Sequence, residues 1–238
     1  MSGGSLFDIV GPVMVGPSSS HTAGAVRLAN LARIIANRVH EPIASVHFIL
    51  YNSFAQTYQG HGTDRGLIAG FLGYCVNDER IRDAFELAKT HRFNYTITPF
   101  QGANHYSPNT VVFEISLTSG RILRIAGHSI GGGKVYISKI DGHNVNLKGE
   151  VPTLLLFYKD QPGMIWQVTK ILAERQINIA TLTCNRNQRG LEAFMVITLD
   201  SLPEQDAIDA IEHIADIYSA WCIDALESQP SPPSGSRP

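Results

Sequence analysis

From Val151 onward the chain changes its hydrophobic period repeatedly, and this pattern constrains the fold more than any other feature. VPTLLLFYK reads as a strand and DQPG as a turn, and MIWQVTKILAERQ carries a helical period. NIATLTCNRN and GLEAFMVITLD read as strands, PEQDAIDAIEHIA is helical again, and SAWCIDALE closes as a strand. β-branched and aromatic residues crowd the strand segments, whereas the helical ones repeat their apolar residues every three to four positions. The resulting order βαββαβ predicts a ferredoxin-like module, with two helices covering one sheet. Pro162 stiffens the turn before the first helix. Gly163 ends that turn and lets backbone N–H groups face a ligand at the helix start.

The preceding 150 residues predict a separate α/β (α+β) domain. A turn-rich start with two Gly-Pro pairs, SLFDIVGPVMVGPSSSHT, leads into a helix. Ala25, Leu28, Ala29, Ala32, Ile35, Ala36 and Val39 share its apolar face, and Arg27, Asn30, Arg33 and Asn37 take the other. ASVHFILYNSF reads as a strand, GHGTD as a turn into the helix RGLIAGFLGYC, and DERIRDAFELAKTH as a further helix. NYTITPF, TVVFEISLTS, RILRIAGHSI and the end of SIGGGKVYISKI read as strands, with a hairpin at Ser119-Gly120. Composition turns polar from Gly142 to Glu150, which predicts a linker. The expected domains are therefore 1–148 and 151–226, followed by a disordered Pro/Ser-rich tail at 227–238.

Composition excludes several functions. Hydrophobic residues make up 44% of the 238 and charged ones 17%, enough to bury a core. The net charge of -2 comes without a basic block, so nucleic acid is not an expected partner. No apolar run approaches the roughly 20 residues of a membrane span, and no signal peptide is visible, so the expected compartment is the cytoplasm. Cys75, Cys184 and Cys222 are far apart and lack the spacing of a metal site. This chain alone is not expected to supply an all-cysteine site.

The segment VGPSSSHTAG, Val15 to Gly24, packs hydroxyls and an imidazole against a helix start. It lacks the G-x-S-x-G spacing of a nucleophile elbow and a nearby acid to orient His21. It lacks the lysine of a Walker loop as well. A glycine, hydroxyls and a helix N-terminus still favour an anion, carboxylate as readily as phosphate. A plain helix cap by one of Ser18 to Ser20 or Thr22 is the competing reading, although one serine would suffice for that.

The C-terminal module resembles an ACT domain, on the DQPGM turn, the helix Ile165 to Arg175, the Ile177–Ile179 segment and the GLEAFMVITLD strand. The resemblance implies side-by-side pairing and an amino-acid effector, with Tyr158, Asp160, Gly163 and Asn178 as effector-binding residues. Relatives that bind serine favour His and Asn where this chain has Tyr158 and Asp160. Asn178 also suits an ordinary turn or strand start.

GPVMVGPSSSHTAG, YNSFAQTYQGHGTD, SPNT (Ser107 to Thr110) and HSIGGG (His128 to Gly133), in that order, resemble the β subunit of the iron–sulfur L-serine dehydratases. That resemblance implies an N-terminal domain like the allosteric substrate-binding domain of some phosphoglycerate dehydrogenases. It also implies conversion of L-serine to pyruvate and ammonia. The partner would be a cysteine-rich α subunit holding a [4Fe-4S] cluster, with this chain inactive alone. Ser19, Ser20, His21 and Thr22 would line the catalytic site, with His21 preferred as the base because of its intrinsic pKa. His61, Thr63, Asp64, Asn109 and Thr110 would contact substrate, although the first three also fit a capping turn and the last two an ordinary one. Many relatives carry His directly before PNT. Here Ser107 stands there, and His105 is two residues earlier. The alternative reading is a non-catalytic amino-acid sensor. A weaker one is a free-standing hydroxy-acid enzyme using His21.

Overall fold

A computed structural model describes residues 14–102, 105–186 and 188–226. The predicted tail at 227–238 and the first Gly-Pro pair, Gly11-Pro12, lie outside them. The chain divides into two units between Asp141 and Gly142.

In the first unit a π-helical turn, Ser19–Ala23, runs directly into α1, Gly24–Asn37. Then come β1 (Ile43–Asn52), α2 (Ser53–Thr57), α3 (Thr63–Phe71), a 3₁₀ turn (Glu79–Asp83) and α4 (Ala84–Thr90). Strands β2 (Tyr95–Pro99), β3 (Asn109–Leu117), β4 (Ile122–Gly131) and β5 (Lys134–Ile140) complete it. Their order is β2-β1-β3-β4-β5. β1 and β2 are parallel, joined by a crossover through α2 to α4, and the remaining pairs are antiparallel. DERIRDAFELAKTH is thus not one helix. Asp78 accepts from Arg80 N–H and pairs with its guanidinium at 2.7 Å, which closes a 3₁₀ turn before α4 begins.

Helix α1 packs on β4 and β5 on one side and on α3 on the other, so it is buried nearly all round. This corrects the two-faced expectation for Asn30, which is 9% exposed. Its Nδ2 donates to Tyr74 O at 2.8 Å and to Val26 O at 3.3 Å, and so ties α1 to the turn after α3. Asn30→Ala is expected to lower stability by about 1–3 kcal/mol, because it strips a buried carbonyl of its donor. Urea unfolding of the two proteins measures this directly.

The close approach of α1 and α3 depends on two glycines one turn apart. A Cβ on Gly66 would stand 2.7 Å from Thr22 O, and one on Gly70 would overlap Val26 O and stand 2.8 Å from Val26 Cα. Both obstructions are backbone, which cannot swing aside. The contact therefore fixes α3, and the His61-Gly62 turn before it, against the Ser19–Ala23 turn.

The second unit opens with β6, His143–Leu147, where a linker was expected. Its polarity misleads because the residues alternate. His143, Val145 and Leu147 are buried, while Asn144 and Asn146 face out. The predicted βαββαβ order follows as β7 (Thr153–Lys159), α5 (Met164–Glu174), β8 (Ile179–Arg186), β9 (Glu192–Leu199), α6 (Gln205–Glu212) and β10 (Ile217–Ile223). The antiparallel sheet order β10-β7-β9-β8 is ferredoxin-like. Leu154, Leu156, Met164, Val168, Leu172, Met195 and Ile211 fill the layer between sheet and helices. No helix among the described residues is long and apolar enough to cross a membrane.

Candidate active site

Ser18 starts the site by capping the π-helical turn, its Oγ accepting from His21 N–H at 3.1 Å. A plain cap would end there. Instead the turn widens. Thr22 N–H and Ala23 N–H both donate to Ser18 O, at 2.9 and 3.3 Å, and the wider turn places the His21 ring among hydroxyls. Nδ1 lies 3.2 Å from Ser20 Oγ and 3.4 Å from Ser18 Oγ, and Nε2 lies 3.1 Å from Ser53 Oγ. His61 stands edge-on to the ring with centroids 4.8 Å apart, and Phe54 walls it at 5.4 Å. Ser19 Oγ makes no hydrogen bond among the described residues.

Burial pushes the His21 pKa down, and the neighbouring His61 adds to this. A ring with no carboxylate beside it and a depressed pKa is neutral at pH 7. Hydroxyls can donate or accept, so both tautomers of a neutral imidazole are satisfied here. The ring can therefore take a proton on one nitrogen while the other rearranges its partner.

Ser53 was read as part of a strand, and it is the residue that sequence reasoning missed. β1 ends at Asn52, whose backbone sits at φ 52°, ψ -123°, off the usual regions for a side-chain-bearing residue. Asn52 Nδ2 donates to Tyr106 O at 2.7 Å and to Ser107 O at 3.1 Å, and Ser53 N–H donates to Pro108 O at 2.8 Å. The SPNT loop thus holds the turn that aims Ser53 at His21. An asparagine followed by serine at the end of an apolar strand is the available signal. Ser129 was missed as well. Its Oγ donates to Ser20 O at 2.7 Å, linking β4 to the turn.

The other candidate residues fall around this cluster in different ways. Thr22 Oγ1 donates to His61 O at 2.8 Å, joining the two loops. Thr63 is fully buried, and its Oγ1 has no hydrogen-bond partner among the described residues. Asp64 is 9% exposed, and its Oδ1 accepts from Arg65 N–H at 2.8 Å. Burial holds its carboxyl above the usual range. Asn109 Nδ2 donates to Ser129 O at 3.4 Å, while its buried Oδ1 has no partner among the described residues. Thr110 is occupied below the loop, donating to Ser107 O at 2.8 Å and lying 2.6 Å from His128 Nδ1. No hydrogen bond joins Asp64, Thr110 or His105 to His21 among the described residues.

His128 Nε2 lies 2.6 Å from Ser138 Oγ, and burial lowers its pKa below 6.5. The sign of the pH effect follows. The unfolded chain binds more protons than the folded one between the depressed folded pKa and 6.5, so stability falls as pH drops through that window. His21 acts in the same direction. Stability is expected to be level above about pH 7 and to decline below about pH 6.5, less steeply in His128→Gln. Thermal melts at stepped pH check this.

The expected effector residues do not form one cluster within the chain. Tyr158, Asp160 and Gly163 line a pocket of about 340 Å³ with Cys184 and Arg186. Burial raises the Tyr158 pKa, and the neighbouring Cys184 thiol adds to this. Asp160 Oδ2 accepts from Gly190 N–H at 2.9 Å and from Arg186 Nη1 at 3.0 Å, which holds the carboxyl below its usual pKa. Gly163 takes φ 92° at the start of α5, a conformation that favours glycine. Asn178 instead lines a shallow cavity beside Trp166 and Lys170, and its Nδ2 donates to Asp200 at 2.7 Å.

Residues 5–139 match the family model described as serine dehydratase beta chain, and residues 153–216 match that of the ACT domain. The chain is 42% identical to the L-serine dehydratase beta chain of Peptoniphilus asaccharolyticus, over 82% of this chain and 87% of that one. It is 39% identical to a probable L-serine dehydratase beta chain of Bacillus subtilis, over 92% and 97% respectively. A D-3-phosphoglycerate dehydrogenase of Bacillus subtilis is 31% identical over 37% of this chain and 17% of its own length.

Proposed function

The chain belongs to the serine dehydratase β-chain family, and from that premise we propose that it is one subunit of an L-serine dehydratase, forming pyruvate and ammonia. The observation that carries the reading is the His21 ring held between rotatable hydroxyls at a helix start. The positive end of the π-turn and α1, with the unengaged Ser19 hydroxyl, takes the substrate carboxylate. Asn109 Oδ1, an acceptor without a partner, takes the ammonium. His21 accepts the α-proton, a role that needs the neutral ring. The Cβ–O bond then breaks and the hydroxyl leaves as water, carrying the proton that His21 took from Cα. The enamine that remains tautomerises to an imine, and water releases ammonia and pyruvate.

The family resemblance attaches an iron–sulfur cluster to this reaction. Cys75 is half-buried, Cys184 exposed and Cys222 buried. Among the described residues no three His, Cys, Asp or Glu side chains converge to hold a metal ion. The residues of this chain do not fit the cluster. Its ligands come, in this reading, from an α subunit. Tyr158, Asp160 and Gly163 bind an amino-acid effector, and Asn178 reaches it from a second copy paired through the ACT module.

The test is pyruvate formation from L-serine under anaerobic conditions, by this chain, by a cysteine-rich α subunit and by both together. Turnover only by the pair supports the proposal, whereas an α subunit fully active alone sinks it. Ser53→Ala is expected to lower kcat about three- to tenfold with little change in KM, since one hydrogen bond to the base is lost. It should also move the acid limb of the pH–rate profile, because the ring loses its hydroxyl partner at Nε2. An unmoved limb would assign Ser53 a merely structural role.

A further inference from the structure

The first unit holds a second, half-open pocket, of about 370 Å³, between the end of α1, the start of β1 and the turn after α4. That is a common size for a small-molecule site. Phe71 and Phe93 give it an apolar wall, and Arg33, Glu41, Arg92 and Asn94 give it polar ones. Two of these are incompletely satisfied. Arg33 Nε and Glu41 Oε2 are both buried without a hydrogen-bond partner among the described residues. Opposite charges sharing a pocket ordinarily pair, yet no ion pair joins these two among the described residues. Burial also lowers the Arg33 pKa, outweighing the opposite effect of the neighbouring Cys75 thiol, as expected of a cation taken from water. A desolvated, uncompensated charge is unfavourable until a partner arrives.

The pocket therefore presents a separated cation and anion beside an aromatic wall. A ligand complementary to it carries a carboxylate, an ammonium and an apolar body. We propose that this pocket binds a zwitterionic α-amino acid with an apolar side chain, its carboxylate on Arg33, its ammonium on Glu41 and its side chain against Phe71 and Phe93. Such a site is separate from the Ser19–Ala23 turn and from the pocket at Tyr158 and Asp160, and it gives the first unit a binding function of its own.

Calorimetric titration of the full chain with L-leucine tests this, beside 4-methylpentanoate and isopentylamine, which keep the carbon skeleton but lack the ammonium or the carboxylate. Saturable leucine binding is expected. It should weaken about tenfold or more in each truncated compound, and likewise in Arg33→Met and Glu41→Gln, as for loss of one charged hydrogen bond. Gln keeps the shape of Glu41 and Met keeps the unbranched stem of Arg33, and thermal melts confirm that each variant is folded. Asp160→Ala, which alters the other pocket, separates any leucine bound there from leucine bound on Arg33 and Glu41. The proposal is overturned if leucine does not bind saturably or if 4-methylpentanoate binds as tightly. It is equally overturned if Asp160→Ala abolishes binding while Arg33→Met and Glu41→Gln do not.

Discussion

His21→Ala is expected to lower L-serine turnover by the assembled enzyme by roughly a hundred- to ten-thousand-fold, the usual contribution of a positioned proton-transfer group. The loss should fall on kcat more than on KM, because Ser19 and the helix end, which hold the carboxylate in this reading, are untouched. Alanine leaves Ser20 and Ser53 facing a small gap that water can fill, and both lie at least partly accessible, so the fold should survive. The measurement is steady-state pyruvate formation, with co-purification and the visible absorption of the complex showing that assembly and cluster are intact. Activity within a few-fold of wild type would remove His21 from the chemistry and return the turn to a binding role, as in the sensor reading. In the unmodified enzyme, activity should rise with pH along a limb lying below 6.5, because the base acts only when neutral and its pKa is depressed.

Gly70→Ala is expected to be the most damaging single methyl in the first unit. The added Cβ would overlap Val26 O and come within 2.8 Å of Val26 Cα, so α1 and α3 must separate. Overpacking of this kind costs about 1–3 kcal/mol, and more where only backbone can yield. A melting temperature lower by roughly 5–10 °C follows. Gly60→Ala is the control, since a Cβ there meets nothing closer than 3.9 Å and the change should stay within about 0.5 kcal/mol. Because α3 carries the His61 side of the site, serine turnover in Gly70→Ala should fall more steeply with temperature than in wild type. Equal melting temperatures for the two variants would show that the helix contact is looser than described.

Much of this molecule can be read from local pattern. The βαββαβ order was legible because each segment keeps one period long enough to declare itself, and Pro162-Gly163 marks the turn chemically. The SSSHT segment was legible because it holds more hydroxyls than a cap requires. Period fails where an element is buried on every side. Asn30 reads as solvent-facing in the sequence, but it is buried, and the carbonyls of Tyr74 and Val26 explain an amide there. Period also misleads where polar residues alternate with apolar ones over five positions, as in β6, so that a strand resembles a linker.

What the sequence determined by itself was most of the elements, the βαββαβ order among them, and the composition of the SSSHT turn, since these are set by neighbours a few positions apart. Tertiary structure decided which groups meet His21. Ser53 lies 32 positions away and reaches the ring only because Asn52, with the SPNT loop bonded to its side chain, turns the chain at the end of β1. Tertiary structure likewise parted Asn178 from Tyr158 and Asp160, and brought Arg33 and Glu41 into one pocket without pairing them. Such contacts depend on loop closure and on how closely two backbones approach. One-dimensional spacing records neither.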